Sequence, residues 1–310
     1  MVLVKSLDLP NVKGDYRENF DLSKSSWFGC GGKCDVLFKP FDDEDLNRFL
    51  SLVDKSVPIY VLGAMSNTLV RDLGINGVVI KLGKNFTSIE ESNNVISFGS
   101  SVLDVNAANF AFENSIKGFE FLIGVPGTIG GNIIMNAGCY GGEISDRFLS
   151  CTGFDLNTGS YRVLTKKDVN FKYRSSSIKD IVITRADFIC ERADKSEIES
   201  KMRDVNLKRE QAQPLKQKTC GSTFKNPEVS TLNPSGKKAW QFVKDAINLM
   251  PQSETKIGGA FFSSKHYNFM INDGTAKASD IEILGEIVRS KVFDTYGINL
   301  EWEIKIIGNK

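Results

Sequence analysis

The stretch IGVPGTIGGNIIMNAGCYGGE, Ile123 to Glu143, is dense in glycine, asparagine and small hydroxyl residues. Backbone N–H groups can approach a phosphate closely only where side chains are small and left-handed turns are tolerated, which is what glycine permits. A second stretch of the same kind, VLGAMSNTLVRD from Val61 to Asp72, continues the apolar run IYVL and carries Gly63, Ser66, Asn67 and Thr68. Neither ends in the GK[ST] of a P-loop, and neither has the G-x-G-x-x-G order that opens a dinucleotide-binding helix. Read alone, either is a set of tight turns between strands. Two in one chain, each joined to an apolar strand or helix, favour a large pyrophosphate ligand.

The rest of the composition narrows the field. The chain has 310 residues, 41% hydrophobic and 25% charged, which describes an ordinary globular protein long enough for two or more packed units. A formal net charge of +1 leaves no broad electrostatic case for nucleic acid or an anionic membrane as partner. The first segment, MVLVKSLDLPNVKGDYREN, interrupts its apolar run with Lys5 and Asp8, so neither a signal peptide nor a membrane span is expected there. A cytoplasmic protein follows. Its six cysteines are scattered, and Cys30 and Cys34 have no companion ligands nearby, so reduced thiols and no metal site are expected.

From Trp27 to Ile189 short β-branched runs alternate with turn residues: VLFKP, IYVLG, GVVIKL, VISFGS, CTGFDL and DIVITRADFIC. One helix interrupts them, VLDVNAANFAFENS, with Val102, Val105, Ala108, Phe110 and Phe112 largely on one side. Ser196 with Glu199 predicts a capping box for a charged connector helix whose stripe is Ile198, Met202 and Val205 and which Pro214 ends. Beyond it come a helix in KKAWQFVKDAINLM, strands in GGAFFSS and FMIND, and a long helix from Ser279. That last helix has Ser279 and Glu282 as a second capping box, core residues Ile281, Leu284, Ile287, Val288 and Val292, and Gly297 as its stop. The chain closes on the strand LEWEIKII, whose period of two puts Glu301, Glu303 and Lys305 opposite Trp302, Ile304 and Ile306. The fold class is α+β.

Taken in order, VLGAMSNTLVRD, GVPGTIGGNIIMNAGCYGGE, YRSS (Tyr173 to Ser176), GSTFKNP (Gly221 to Pro227), KIGGAFFSSKHYNFMIN (Lys256 to Asn272) and LEWEIKIIG resemble the UDP-N-acetylenolpyruvoylglucosamine reductase family over nearly the whole chain. The resemblance implies an FAD-binding domain of the vanillyl-alcohol oxidase (PCMH) type in two parts, residues 1–83 and 84–209. It also implies a smaller α+β substrate domain at 210–298, with a C-terminal strand at 299–310 returning to the active-site cleft. No long insertion follows YRSS, so the chain resembles the shorter, type II subtype. It departs from the family pattern at Ala64–Met65, at Cys139 for alanine, at Lys256 for arginine, and in the cysteines of WFGCGGKCDVLF.

What the resemblance implies chemically can be checked against the reaction. FAD would be held without a covalent link by Gly63, Ala64, Met65, Ser66, Asn67, Thr68 and Leu69, together with Pro126, Gly127, Thr128, Gly130, Gly131, Asn136, Ala137 and Gly138. NADPH would reduce it, and the reduced flavin would convert the enolpyruvyl ether of UDP-N-acetylglucosamine enolpyruvate to the lactyl ether of UDP-N-acetylmuramate. Hydride addition to a vinyl ether conjugated with a carboxylate leaves an enolate-like dianion, which needs a fixed cation and a positioned acid. Arg174 would polarise the carboxylate, Ser222 would deliver the proton, and Glu303 would stabilise the enol as a protonated acid. Tyr140, Tyr173, Lys225, Asn226, His266 and Asn268 would contact substrate. No nucleic acid or membrane partner is expected, and the state expected is a monomer or weak dimer.

Overall fold

A computed structural model describes residues 7–310, so the apolar run at the very start of the chain, residues 1–6, lies outside the described residues. The chain forms two compact units. The first comprises the described part of Met1–Phe20 with Cys34–Ala64 and Gly77–Arg209; the second comprises Asp21–Lys33, Met65–Asn76 and Glu210–Lys310. Among the described residues no helix is long and apolar enough to cross a membrane.

The first unit holds two large sheets with separate cores, besides three two-stranded pairings among the described residues. In the four-stranded sheet the order is Asp15–Asp21, Lys33–Lys39, Ile75–Ile80, Ile59–Val61, and the last two strands run parallel. Helix α1 (Asp43–Leu52) covers it through Leu46, Phe49 and Leu50, which join Val36, Phe38, Val78 and Ile80 in one core. The five-stranded sheet is antiparallel throughout, in the order Tyr161–Thr165, Phe148–Asp155, Ile181–Ile189, Val95–Gly99, Ile89–Ser92. Its core is built on Phe98, Phe119, Phe148 and Phe188, all fully buried. Two short helices, α2 (Asp104–Glu113) and α3 (Ile129–Met135), pack on that core. The α2 stripe is Ala107, Ala108 and Ala111, while Val105, expected inside, is 43% exposed. Three neighbouring alanines let α2 lie close to its support, and the larger Val105 falls on the outer face.

Asp104 opens α2 from a position only 1% exposed. Its Oδ1 accepts a bond from Asn132 Nδ2 at 2.6 Å, while Oδ2 is buried with no hydrogen-bond partner. Burial raises the carboxyl to about 8.

Helix α4 (Lys195–Ala212) starts before Ser196, so the expected Ser196–Glu199 capping box does not form. Instead the Asp194 carbonyl takes the N–H groups of Glu197 and Ile198. The stripe Ile198, Met202 and Val205 is buried as the sequence predicts.

In the second unit α5 (Ala239–Leu249) and α6 (Ala278–Tyr296) share a core with the antiparallel sheet Lys256–Ile257, Ala260–Phe262, Met270–Asn272. Helix α6 also begins one residue earlier than the sequence suggests. Its opening N–H groups, Ala278 and Ser279, donate to the two carboxylate oxygens of Asp72 at 2.8 and 2.9 Å. Glu282, expected to close a capping box, instead takes a two-pronged bond from Arg71 at 2.9 Å on each oxygen. The end of the loop VLGAMSNTLVRD is therefore a cap for a helix some two hundred residues away. Gly297 closes α6 with φ 68°, as expected.

The closing segment is a regular strand only over Lys305–Ile307, which pairs in parallel with Thr68–Val70. Before that it is extended but changes partner: Glu303 N–H bonds Thr223 O, and Lys225 N–H bonds Glu301 O, both at 2.8 Å. Trp302 is bridged to Phe224 and lies against Gly285 of α6, where an added Cβ would sit 2.0 Å from the indole ring.

Gly285→Ala should lower stability by about 1–3 kcal/mol through overpacking against Trp302, even though alanine is the better helix former by about 1 kcal/mol. The midpoint of chemical unfolding checks this. A second expectation concerns Asp104. Its raised folded-state pKa means that the stability it lends is present at low pH and is lost as pH climbs from its unfolded value toward about 8. Asp104→Asn keeps the acceptor for Asn132, so its melting temperature should exceed the parent's at pH 9, with the gap closing toward pH 5.

Candidate active site

In the first unit the two glycine-rich stretches meet. Gly63, at the end of the strand Ile59–Val61, is exposed and so close to Thr128 that a Cβ would come within 2.7 Å of its Oγ1. Gly131, also exposed, would place a Cβ 3.5 Å from the same oxygen. Thr128 is the N-cap residue of α3 but its side chain makes no cap bond. Two exposed glycines thus flank the buried Thr128, and neither brings a side chain of its own. This is what a bound diphosphate requires, and the residues present fit an FAD.

Other residues expected at the cofactor also carry packing and hydrogen bonds of the fold. Gly127 packs under Asp104 Oδ2, and Gly130 sits against Ser100 while its N–H donates to Ser100 O at 2.9 Å. Gly138 leaves no room for a Cβ beside Gly142 O, 2.4 Å away. Leu69 is fully buried in the core of the second unit, and Thr68 pairs with Lys305. Asn67 Nδ2 donates to Glu303 O at 3.1 Å, and Asn67 O accepts from Lys305 N–H. Asn136 is 1% exposed, with its amide between two backbone groups. Glycine and asparagine are turn and packing residues as well as phosphate residues, so composition could not separate the two uses.

Two tight hairpins of the first unit present the polar residues. In one, Gly138–Cys139 pairs with Gly142–Glu143 across Tyr140 and Gly141, both at positive φ (50° and 94°). That is the geometry of a type I′ turn, and it holds the Tyr140 ring 43% exposed. In the other, Phe171–Lys172 pairs with Ser175–Ser176 across Tyr173 and Arg174. Arg174 has φ 55°, a conformation non-glycine residues adopt only where the surroundings demand it. Its guanidinium carbon lies 4.9 Å from the Tyr173 ring centre. Burial pushes the Cys139 thiol up to about 11, against the opposing charges of Arg174 and Arg209. Arg209 also acts on Tyr140, and Lys208 Nζ stands 6.0 Å from the Tyr140 ring. Sequence reasoning missed Arg209. Its signal was weak, a basic residue in a charged helix that reads as a solvated face.

In the second unit Ser222 follows Gly221, which has φ 79° and open space where a side chain would project. Ser222 is bridged to Phe269. The next residues are gripped from one side by Asn268: Thr223 N–H donates to Asn268 O at 2.7 Å. Asn268 Oδ1 and Nδ2 bond the Phe224 N–H and carbonyl at 3.0 and 2.8 Å. Asn268, expected to contact substrate, is 4% exposed and acts as a clamp on the Ser222 turn. His266 supports it in turn, accepting the Asn268 N–H on Nδ1, and burial lowers its pKa. On the other side runs the 301–303 segment, which brings Ser222 and Glu303 onto adjacent stretches of backbone. Lys225 Nζ bonds Glu301 at 3.1 Å, and Asn226 Oδ1 accepts the first helical N–H of α5, Ala239, at 3.1 Å.

Cys220 is 2% exposed, its sulfur against the carbonyls of Met65 and Thr68, and burial pushes it up to about 12. Such a thiol is not a nucleophile at neutral pH.

Comparison with known proteins also separates two parts of the chain. Residues 34–165 match the FAD binding domain family, and residues 213–307 match the family described as UDP-N-acetylenolpyruvoylglucosamine reductase, C-terminal domain. The UDP-N-acetylenolpyruvoylglucosamine reductase of Rickettsia massiliae is 45% identical over 303 residues, covering 97% of this chain and 99% of that protein. That of Orientia tsutsugamushi is 45% identical over 309 residues, 98% of each. The crystal structure of UDP-N-acetylenolpyruvylglucosamine reductase (MurB) from Thermus caldophilus superposes with a TM-score of 0.80 at 27% identity, covering 96% of this chain and all of that one. Similarity at this level along the whole length means that the chain belongs to the UDP-N-acetylenolpyruvoylglucosamine reductase family.

Proposed function

We propose that this chain reduces UDP-N-acetylglucosamine enolpyruvate to UDP-N-acetylmuramate, with FAD as its bound cofactor and NADPH as electron source, in the cytoplasmic synthesis of peptidoglycan precursors. The observation that carries the reading is the backbone seam that fixes the half-buried Gly221–Ser222 turn beside Glu303. A hydroxyl acting as acid toward carbon needs that kind of immobility.

When bound, FAD would supply the two-electron chemistry that links NADPH to the vinyl group of the substrate. The exposed glycines Gly63 and Gly131, on either side of the buried Thr128, would hold its diphosphate. Arg174 carries a permanent charge on a tight turn, and its planar fork suits the substrate carboxylate, onto which electrons move as the double bond is reduced. Ser222 gives its Oγ proton to the neighbouring carbon. The alcohol is a weak acid, so transfer depends on a strongly basic carbon held at a short, fixed distance. Glu303 stabilises the enol form of the substrate carboxylate. Lys225 and Tyr140 meet the phosphate and sugar groups, while Asn226, Asn268 and His266 hold the elements on which these residues stand.

Anaerobic titration tests the reading directly. NADPH should bleach the flavin absorbance, and UDP-N-acetylglucosamine enolpyruvate should restore it; a purified protein that takes up no FAD when supplied with it would overturn the assignment. Ser222→Ala should leave bleaching by NADPH intact and slow the recovery by about 10²–10⁴-fold, the usual contribution of a general acid. Cys220→Ala should turn over at close to the parent rate, and the native protein should resist alkylation at Cys220.

A further inference from the structure

We propose that Asn136 and Ser176 are positioning residues for Arg174, clamping the hairpin that carries the guanidinium to the C-terminal end of α3. The consequence for catalysis rests on the role given to Arg174 above. The clamp itself rests only on geometry.

Arg174 stands at the tip of a hairpin whose arms are two residues each, Phe171–Lys172 and Ser175–Ser176. Such short arms do not define the direction of their own tip. Both are tied to the same helix end. On the arm before the turn, Asn136 Nδ2 donates to Lys172 O at 3.2 Å. On the arm after it, Ser176 Oγ donates to Ile134 O at 3.0 Å. Each tie falls two residues from Arg174, one on either side.

Asn136 is suited to this task by conformation as well as by its amide. It ends α3 in the left-handed region, φ 41° and ψ 54°, where asparagine is among the few side chains tolerated. Its Oδ1 accepts the Ser145 N–H at 3.1 Å, so the amide is locked at both ends and cannot swing away from Lys172 O. The chain then runs directly from Asn136 into the Tyr140 hairpin. One buried residue thus fixes the Arg174 hairpin relative to the segment that presents Tyr140, and the influence of Arg174 on Cys139 places these tips in one neighbourhood. Asn136, which the family resemblance assigns to the cofactor, thereby acts on the substrate side through Arg174.

The experiment uses the FAD-loaded protein with Asn136→Gly, which accepts the left-handed backbone while removing both side-chain bonds, and Ser176→Ala, with Ser176→Thr as the rescue. Amide hydrogen exchange across 170–177 should rise in Asn136→Gly and in Ser176→Ala and return toward the parent in Ser176→Thr; unchanged exchange overturns the clamp. Recovery of NADPH-reduced flavin by the UDP-enolpyruvyl sugar should slow by about 100-fold in Asn136→Gly, the effect of a displacement near 1 Å, with FAD content and NADPH bleaching unchanged. In an Arg174→Ala background the same substitution should add nothing. Loss of FAD with a normal recovery rate per bound flavin, or an undiminished effect without Arg174, overturns the positioning role. A parent protein whose reduced flavin ignores the UDP-sugar overturns the functional reading and leaves the exchange result to decide the clamp.

Discussion

The feature on which the second unit depends is a run of backbone hydrogen bonds joining three segments far apart in sequence. Thr223 and Lys225 bond to Glu303 and Glu301, and the same strand then turns to Asn67 and Thr68–Val70. Backbone groups must be paired once buried, so a segment placed between two partners is held in a single register. Side chains reinforce the run from both ends. Asn268 grips the Ser222 turn, Asn67 reaches the Glu303 carbonyl, and Trp302 fills the notch left by Gly285. A serine in a flexible loop would be an ordinary hydroxyl. Here its backbone neighbours are over-determined.

The same economy appears in the first unit, where one glycine-rich segment performs several tasks. Gly127 lets the chain before α3 pass close to Asp104 of α2, Gly130 sits against Ser100, Gly138 and Gly141 allow a tight hairpin, and Gly63 and Gly131 add no side chain at an exposed stretch of backbone. Asp104 lies against Gly127 with one buried oxygen unpartnered. The Tyr140 and Arg174 hairpins lie toward the other end of α3, and each places a residue at positive φ on its tip. Strain is stored where Tyr140 and Arg174 are displayed, and rigid anchoring offsets it.

Much of this was legible in the chain. The inner strands, with their β-branched runs, stand where the pattern puts them. The edge strands Asp15–Asp21, Ile89–Ser92 and Tyr161–Thr165 escaped notice because one of their faces meets water and their sequences, such as DYRENFD and IEES, read as loops. Helix starts were misplaced by one or more residues for a related reason. A local capping box is the best guess from sequence, but α6 takes its cap from Asp72, and no window of neighbouring residues contains that information.

Sequence by itself determined the α+β class, the motif order that places the chain in its family, and the residue types able to supply a cation, a proton and a bare backbone surface. Those follow from local composition and spacing, which survive in one dimension. Tertiary structure alone decided which of several chemically similar residues are displayed and which are consumed. Asn136, Asn268 and Asn226 look like ligands in the sequence, yet each spends its amide on the backbone of a distant segment. An amide has the same donors and acceptors for a substrate as for a peptide group. Only folding brings the competing partner within reach.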